Sequence, residues 1–180
     1  RGDPEAIARL YRAHQPRLLR FLRSEVGDAA DDVASQAWLE VVGALRRFQG
    51  DDDGFRALLY TIARRRVADH RRARRRRPAT PTEPVTLHDA VVDAVDVERL
   101  ALDGLAADDA VELIRRVLSP DQAEVVLLRL VGGLPVEEVA KALGRAPGAV
   151  RVQQHRALRR LAAELGRGNG GGGRGDQVGR

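Results

Sequence analysis

Between Phe55 and Arg75 the chain sorts its side chains with a helical period. At 100° per residue, Phe55, Leu58, Leu59, Ile62 and Ala63 fall on one side, and Arg64, Arg65, Arg71, Arg72 and Arg75 on the other. The stretch Ile62–Arg77 holds nine arginines against the single Asp69. An arginine run of that density could be a sticky disordered tail, but the apolar stripe beneath it predicts a folded helix with a basic outer face. Beyond Val67 the stripe thins to His70 and Ala73, so the helix is expected to leave its domain before fraying near Pro78. Arg66 points towards the apolar side and therefore needs to snorkel or to find an acidic partner.

The same period governs the flanking segments, and no β pattern of any strength appears. Asp3-Pro4 predicts a helix start, with a capping acceptor followed by proline at the first helical position. Ile7, Leu10, Tyr11 and His14 follow at helical spacing; Pro16 is expected to bend or restart the helix before Leu18, Leu19 and Leu22. A second helix opens at Asp31-Asp32, with Ala34, Ala37, Trp38, Val41, Leu45 and Phe48 as its buried stripe. After "PATPTEP" and a weakly periodic acidic segment, helices are expected again. Ser119-Pro120 starts one that ends at Gly132-Gly133, "PVEEVAKAL" forms a short one stopped by Gly144, and Pro147 opens a last one to about Leu165. The fold class expected is all-α: two small helical domains, residues 1–77 and 106–166, joined by a flexible acidic linker at 78–105 and followed by a disordered glycine-rich tail at 167–180.

Charge follows the same divisions. Residues 64–77 carry nine Arg; residues 78–112 carry nine acids and one Arg; residues 141–167 carry seven basic groups and only Glu164 as an acid. Two basic ends around an acidic middle suggest two contacts with a polyanion. The chain has no cysteine, which excludes disulfides and thiolate metal sites and fits a reducing cytoplasm. No apolar run reaches the roughly 18 residues that membrane insertion needs. The four histidines are scattered, with no metal-binding pair, nucleophile elbow or phosphate-cradling glycine loop, so no catalytic residue, cofactor or small-molecule substrate is expected. "DDDG" lacks the alternating ligands of a calcium loop, so no metal site is expected there.

"VEEVAKALGRAPGAVRVQQHRALRRL" has the layout of a helix-turn-helix. Val136, Val139 and Leu143 pack the short helix and Val150, Ala157, Leu158 and Leu161 the second. Ala149, Arg151, Val152, Gln153, His155 and Arg156 are left to meet DNA, where Arg can read guanine and Gln adenine. Trp38 reads as core. Phe48, Gln49 and Phe55 flank the acidic loop and could either pack its ends or stack on an unpaired base.

Taken in order, these parts resemble a bacterial RNA polymerase sigma factor of the extracytoplasmic-function (ECF) subfamily of the sigma-70 family, which has only σ2 and σ4 domains. "DDVASQAWLEVVGAL" looks like the polymerase-binding helix, "RFQGDDDGFRALLYTIARRRVADHRRARRRR" like the loop and −10 element helix, and "LSPDQAEVVLLRLVGGLPVEEVAKALGRAPGAVRVQQHRALRRL" like the σ4 reader of the −35 element. Ser35-Gln36 stands where the family commonly has Gln-Glu, Arg65 where Asn is frequent, and Val152-Gln153 in place of a frequent Ser-Arg pair.

The resemblance implies a division of labour. Asp32, Gln36, Leu39 and Glu40 would dock on the β′ clamp coiled coil of core RNA polymerase, with the β flap as a further contact. Arg64, Arg65, Arg71, Arg72 and Arg75 would hold the −10 backbone. Phe48, Gln49, Asp51 and Phe55 would accept an extruded base, with Asp51–Asp53 as acceptors for base amino groups. The −35 element would fall to the six helix-turn-helix residues named above. Anti-sigma proteins are common partners in the family, and the acidic linker would thread towards the active-site cleft as an RNA mimic. The rival readings are a helix-turn-helix regulator binding duplex operators without polymerase, and a non-specific nucleic-acid binder.

Overall fold

The computed structural model describes residues 3–76 and 107–169, and the acidic linker at 78–105 and the tail beyond 169 lie outside them. The described residues form α1 (Pro4–Val26), a 3-10 turn (Gly27–Ala29), α2 (Ala30–Leu45), α3 (Asp52–Arg75), α4 (Ala107–Val117), α5 (Pro120–Leu130), α6 (Val136–Leu143) and α7 (Pro147–Asn169). The all-α expectation is met.

The caps explain the boundaries. Asp3 accepts from the Glu5 amide at 3.0 Å and Asp51 from the Gly54 amide at 2.9 Å, each satisfying a donor that the first turn leaves free. Ser119 and Gln122 form a reciprocal capping box at the start of α5. Gly144 closes α6 in the left-handed conformation, φ +63°. Two expectations need correction. Pro16 does not restart a separate helix: α1 runs through it, with His14 on one side and Leu18, Phe21 and Leu22 on the other buried in the same core. That burial offsets the backbone bond a proline removes. The last helix extends to Asn169 rather than Leu165, so the first residues assigned to the tail are helical.

α1, α2 and α3 pack into one module around Phe21, Leu22, Trp38, Val41, Leu59 and Ala63. Trp38 is core, as expected, and its indole Nε1 donates to Gln15 at 2.7 Å. The second module packs α4–α7 around Val125, Leu127, Leu128, Val139, Val150 and Leu161. The two modules also touch: α1 and α3 of the first lie against α4 and α6 of the second, and their buried residues form one contiguous cluster. No helix among the described residues is long and apolar enough to cross a membrane.

Candidate nucleic-acid interface

Four surfaces carry the residues singled out in the sequence, and the structure treats them differently.

On α2, Asp32, Gln36 and Leu39 lie along one exposed strip, at positions i, i+4 and i+7. Leu39 is 77% exposed and Val42, on the same side, 37%. An apolar side chain left that open, on a helix whose other face is buried, is the kind of surface that a partner covers. Glu40 is off the strip. Its carboxylate faces α3, where Arg66 Nη2 donates to it at 2.8 Å and Arg65 pairs with the other oxygen. The expected free docking acid is therefore a link between two helices. Its position also answers the misfit of Arg66, which finds the acidic partner it needs.

The loop between α2 and α3 is built from aromatics and acids. Phe55 is buried, with Phe48 edge-on to it at 6.3 Å between centroids. Phe55 thus has no open face for a base, which corrects the stacking expectation for that residue. Phe48 is half-buried and lies over Gly50, where an added Cβ would come within 2.7 Å of the ring and oblige it to shift. Gln49 is exposed. The three acids are also occupied. Asp51 caps α3, Asp52 pairs with Arg56 at 3.2 Å and faces His14 Nε2 at 3.6 Å, and Asp53 pairs with Arg56 as well. His14, whose ring lies 5.0 Å from that of Phe55, is held below the usual histidine range, chiefly by burial and against the opposing pull of Asp52. The sequence marked His14 only as one more residue of the apolar stripe.

The arginine face of α3 is helical, as expected, but is not uniformly open. Arg64 lies between the two modules: its Nε donates to Glu124 of α5 at 2.7 Å, and its Nη1 to the Ala142 carbonyl. Arg65 shares Glu40. Arg71 reaches back to Glu25, a carboxylate 6% exposed that Arg115 of α4 also engages. Arg72, which pairs with Asp69 of its own helix at 3.2 Å, and Arg75 remain on the outside. Nothing in the sequence marks Glu25, Arg115 or Glu124, because each acts across a sequence separation of tens of residues.

In the helix-turn-helix, Val150, Ala157, Leu158 and Leu161 are buried, as expected. Ala149, Arg151, Val152 and Arg156 are exposed, while Gln153 and His155 are half-buried. Arg151 pairs with Glu137 at 2.6 Å, which fastens the start of α6 to the recognition helix. Arg145 donates to Gln153 Oε1 at 2.5 Å and pairs with Asp121 at 3.2 Å. The Gln153 amide is thus held from its oxygen side, and bidentate reading of adenine requires Arg145 to release it.

Known proteins agree with this layout. Residues 10–77 match the family model Sigma-70 region 2, and residues 109–161 match Sigma-70, region 4. The chain is 38% identical over 170 residues to the ECF RNA polymerase sigma factor SigD of Mycobacterium tuberculosis, covering 91% of this chain and 79% of that one. It is 36% identical to the ECF RNA polymerase sigma factor ShbA of Streptomyces griseus, covering 90% and 88%. Among solved structures it shares the fold of CnrH in complex with the cytosolic domain of CnrY (TM-score 0.60, 23% identity, 92% and 91% covered). It also shares that of the sigma factor RpoE in complex with the anti-sigma factor NepR from Bartonella quintana (TM-score 0.63, 23% identity, 90% and 98% covered). The exposed apolar strip, the basic helix and the helix-turn-helix thus occur in a chain that belongs to the ECF RNA polymerase sigma factors of the sigma-70 family, non-enzymatic proteins that bind RNA polymerase and direct it to promoters.

Proposed function

We propose that the work of initiation is divided among these surfaces as follows. The α2 strip of Asp32, Gln36 and Leu39 seats the chain on the β′ clamp coiled coil of polymerase, and the second module meets the β flap. The outward arginines of α3, Arg72 and Arg75, hold the −10 backbone from the start; Arg64, Arg65 and Arg71 join them when their acidic partners release them. Phe48 and Gln49 border the place for an extruded base, with Phe55 supporting Phe48 from beneath. Ala149, Arg151, Val152, Gln153, His155 and Arg156 face the −35 element, and the acidic linker occupies the path of nascent RNA. The site of action is the cytoplasm. An anti-sigma protein is a further partner, by analogy with the CnrH and RpoE complexes.

The observation that carries this reading is Leu39: a leucine 77% exposed between Gln36 and Val42 contributes nothing to the core of its own module, yet offers apolar area for burial against a partner. The test is reconstitution with core polymerase. Leu39→Asp should abolish co-elution with core and promoter-specific transcripts while leaving the helical circular dichroism spectrum intact. Full retention of core binding in that variant would sink the assignment of α2. Mapping start sites with the unmodified chain then defines the −10 and −35 sequences.

A further inference from the structure

A cavity of about 320 Å³ lies where α1 meets the second module. Its walls are mostly apolar: Val111 and Ile114 of α4, Leu130 and Val131 around the end of α5, and Leu161 of α7. The sequence of α4 accounts for the space. Ala107, Ala110, Val111 and Ile114 recur at i, i+3, i+4 and i+7, so they share one side of the helix, and the first two are too small to fill the room in front of them. Apolar cavities of this size with a few polar groups at one side are what small molecules occupy.

The first module supplies the polar side, through Arg17 and Arg20 of α1. Arg20 pairs with Asp108 at 3.0 Å, but that carboxylate is 79% exposed, and such a surface pair is weak. Arg17 has no acidic partner among the described residues. It has a second cation for a neighbour instead. Arg17 Nη1 and Arg56 Nη1 each lie 3.8 Å from the point where Gly133 would carry a Cβ, and Arg56 is already taken by Asp52 and Asp53.

Beside the same turn stands Tyr60, whose ring Cζ lies 3.3 Å from the corresponding point on Gly132. Its hydroxyl is buried and has no hydrogen-bond partner among the described residues. The neighbourhood thus holds a cation without a counter-charge and a hydroxyl without an acceptor, next to apolar walls. An anionic oxygen carried on an apolar body matches all three. One unpaired guanidinium balances one charge, which favours a monoanionic carboxylate over a phosphate ester.

We propose that this cavity is a binding site for a small amphiphilic anion, an acyl carboxylate of medium chain length, with its headgroup at Arg17 and Arg20 and its tail against Val111, Ile114, Leu130 and Leu161. None of these side chains belongs to the α2 strip, to the arginine face of α3 or to the DNA-facing side of α7. The site therefore stands whether or not those surfaces act as assigned above.

The test is titration of the full chain with hexanoate, octanoate and decanoate, read by calorimetry and by the amide shifts of Ala110–Ile114 and Leu130–Gly132. Each added methylene should tighten binding about fourfold until the tail reaches the cavity wall. Octanol, the same body without the charge, should bind several-fold more weakly than octanoate. Arg17→Gln with Arg20→Gln should erase that difference and leave the helical circular dichroism spectrum intact. Ala110→Phe, which fills the cavity, should abolish binding of all three acids. No saturable binding of decanoate, or binding indifferent to every one of these substitutions, overturns the site. Octanol binding as tightly as octanoate in the parent chain overturns the anionic class of the ligand.

Discussion

Glu40 of α2 and Arg66 of α3 are joined by a 2.8 Å hydrogen bond, and Arg65 closes on the other oxygen of the same carboxylate. One acid thus holds two adjacent arginines of the basic helix and ties α2 to α3. Next to it, Leu39 touches solvent. The two neighbours should therefore separate cleanly on mutation. Glu40→Ala should cost about 1–2 kcal/mol in urea unfolding, since it strands two half-exposed guanidinium groups. Leu39→Ala should stay within about 0.5 kcal/mol of the parent in the same melt and lose affinity for core polymerase instead. If Glu40→Ala leaves stability untouched while weakening polymerase binding as much as Leu39→Ala, the carboxylate belongs to the docking surface after all.

The outward end of α3 makes a prediction in ionic strength. Of the five arginines marked in the sequence, Arg65, Arg71, Arg72 and Arg75 are exposed, and of these four Arg65 and Arg71 are tied to acids of α2 and α1. If about five phosphates are neutralised in the polymerase–promoter complex, the slope of log affinity against log salt contributed by this helix is near −4.5, or roughly 500-fold between 50 and 200 mM. Replacing Arg72 and Arg75 by alanine should make the slope shallower by about 2, uniformly across promoter sequences. Promoter binding measured across a salt series checks this, and an unchanged slope would remove both residues from the backbone contact.

His14 gives the first module a pH response of definite sign. Burial lowers its folded-state pKa below 6.5, with Arg56 and Arg17 adding to the shift and Asp52 opposing it. The unfolded chain therefore binds the proton more readily than the folded one. Stability linked to this residue is complete above about pH 6.5 and falls as pH drops through that value towards the lowered folded pKa. Urea unfolding at pH 7.5 and at pH 5.5 should show a larger loss for the parent than for His14→Gln. An equal loss in both chains would mean that the carboxylates, and not His14, set the acid sensitivity.

How far the sequence went depended on the range of the interaction. Helix starts at Asp3 and Ser119 and the stop at Gly144 are local chemistry, legible from a few adjacent residues; the start at Asp51 falls in a stretch that reads as a loop. Buried stripes such as Ala34, Ala37, Trp38 and Val41 follow from the helical period alone. Arg66 could be recognised as needing a partner, because its place on the stripe contradicts its charge; that the partner is Glu40, 26 positions away, could not. The same limit hid Glu25 and Glu124. Each sits among residues of ordinary composition, and only packing between the modules turns it from a solvated acid into a clasp for Arg71, Arg115 or Arg64. Phe55 failed for a related reason: an aromatic at a loop edge has the same sequence signature whether its ring faces a base or, as here, lies under Phe48 and beside His14.

Gly144 and Gly148 make a matched test of the helix-turn-helix. Neither has a heavy atom within 4 Å of where a Cβ would stand, so substitution by alanine meets no steric obstacle at either place. Their backbones differ. Gly144 has φ +63°, and its amide bonds back to the Ala140 and Lys141 carbonyls to end α6. Gly148 lies in the first turn of α7 with ordinary helical geometry. Gly144→Ala should therefore destabilise by about 1 kcal/mol through left-handed strain alone, while Gly148→Ala should stabilise by about 0.5–1 kcal/mol, as alanine does in a helix. Because Glu137–Arg151 ties α6 to α7 across this turn, strain at Gly144 should also loosen the recognition helix. Amide exchange of Val150–Gln154 should accelerate in Gly144→Ala and slow in Gly148→Ala. Equal behaviour of the two variants would show that the turn does not depend on the left-handed glycine.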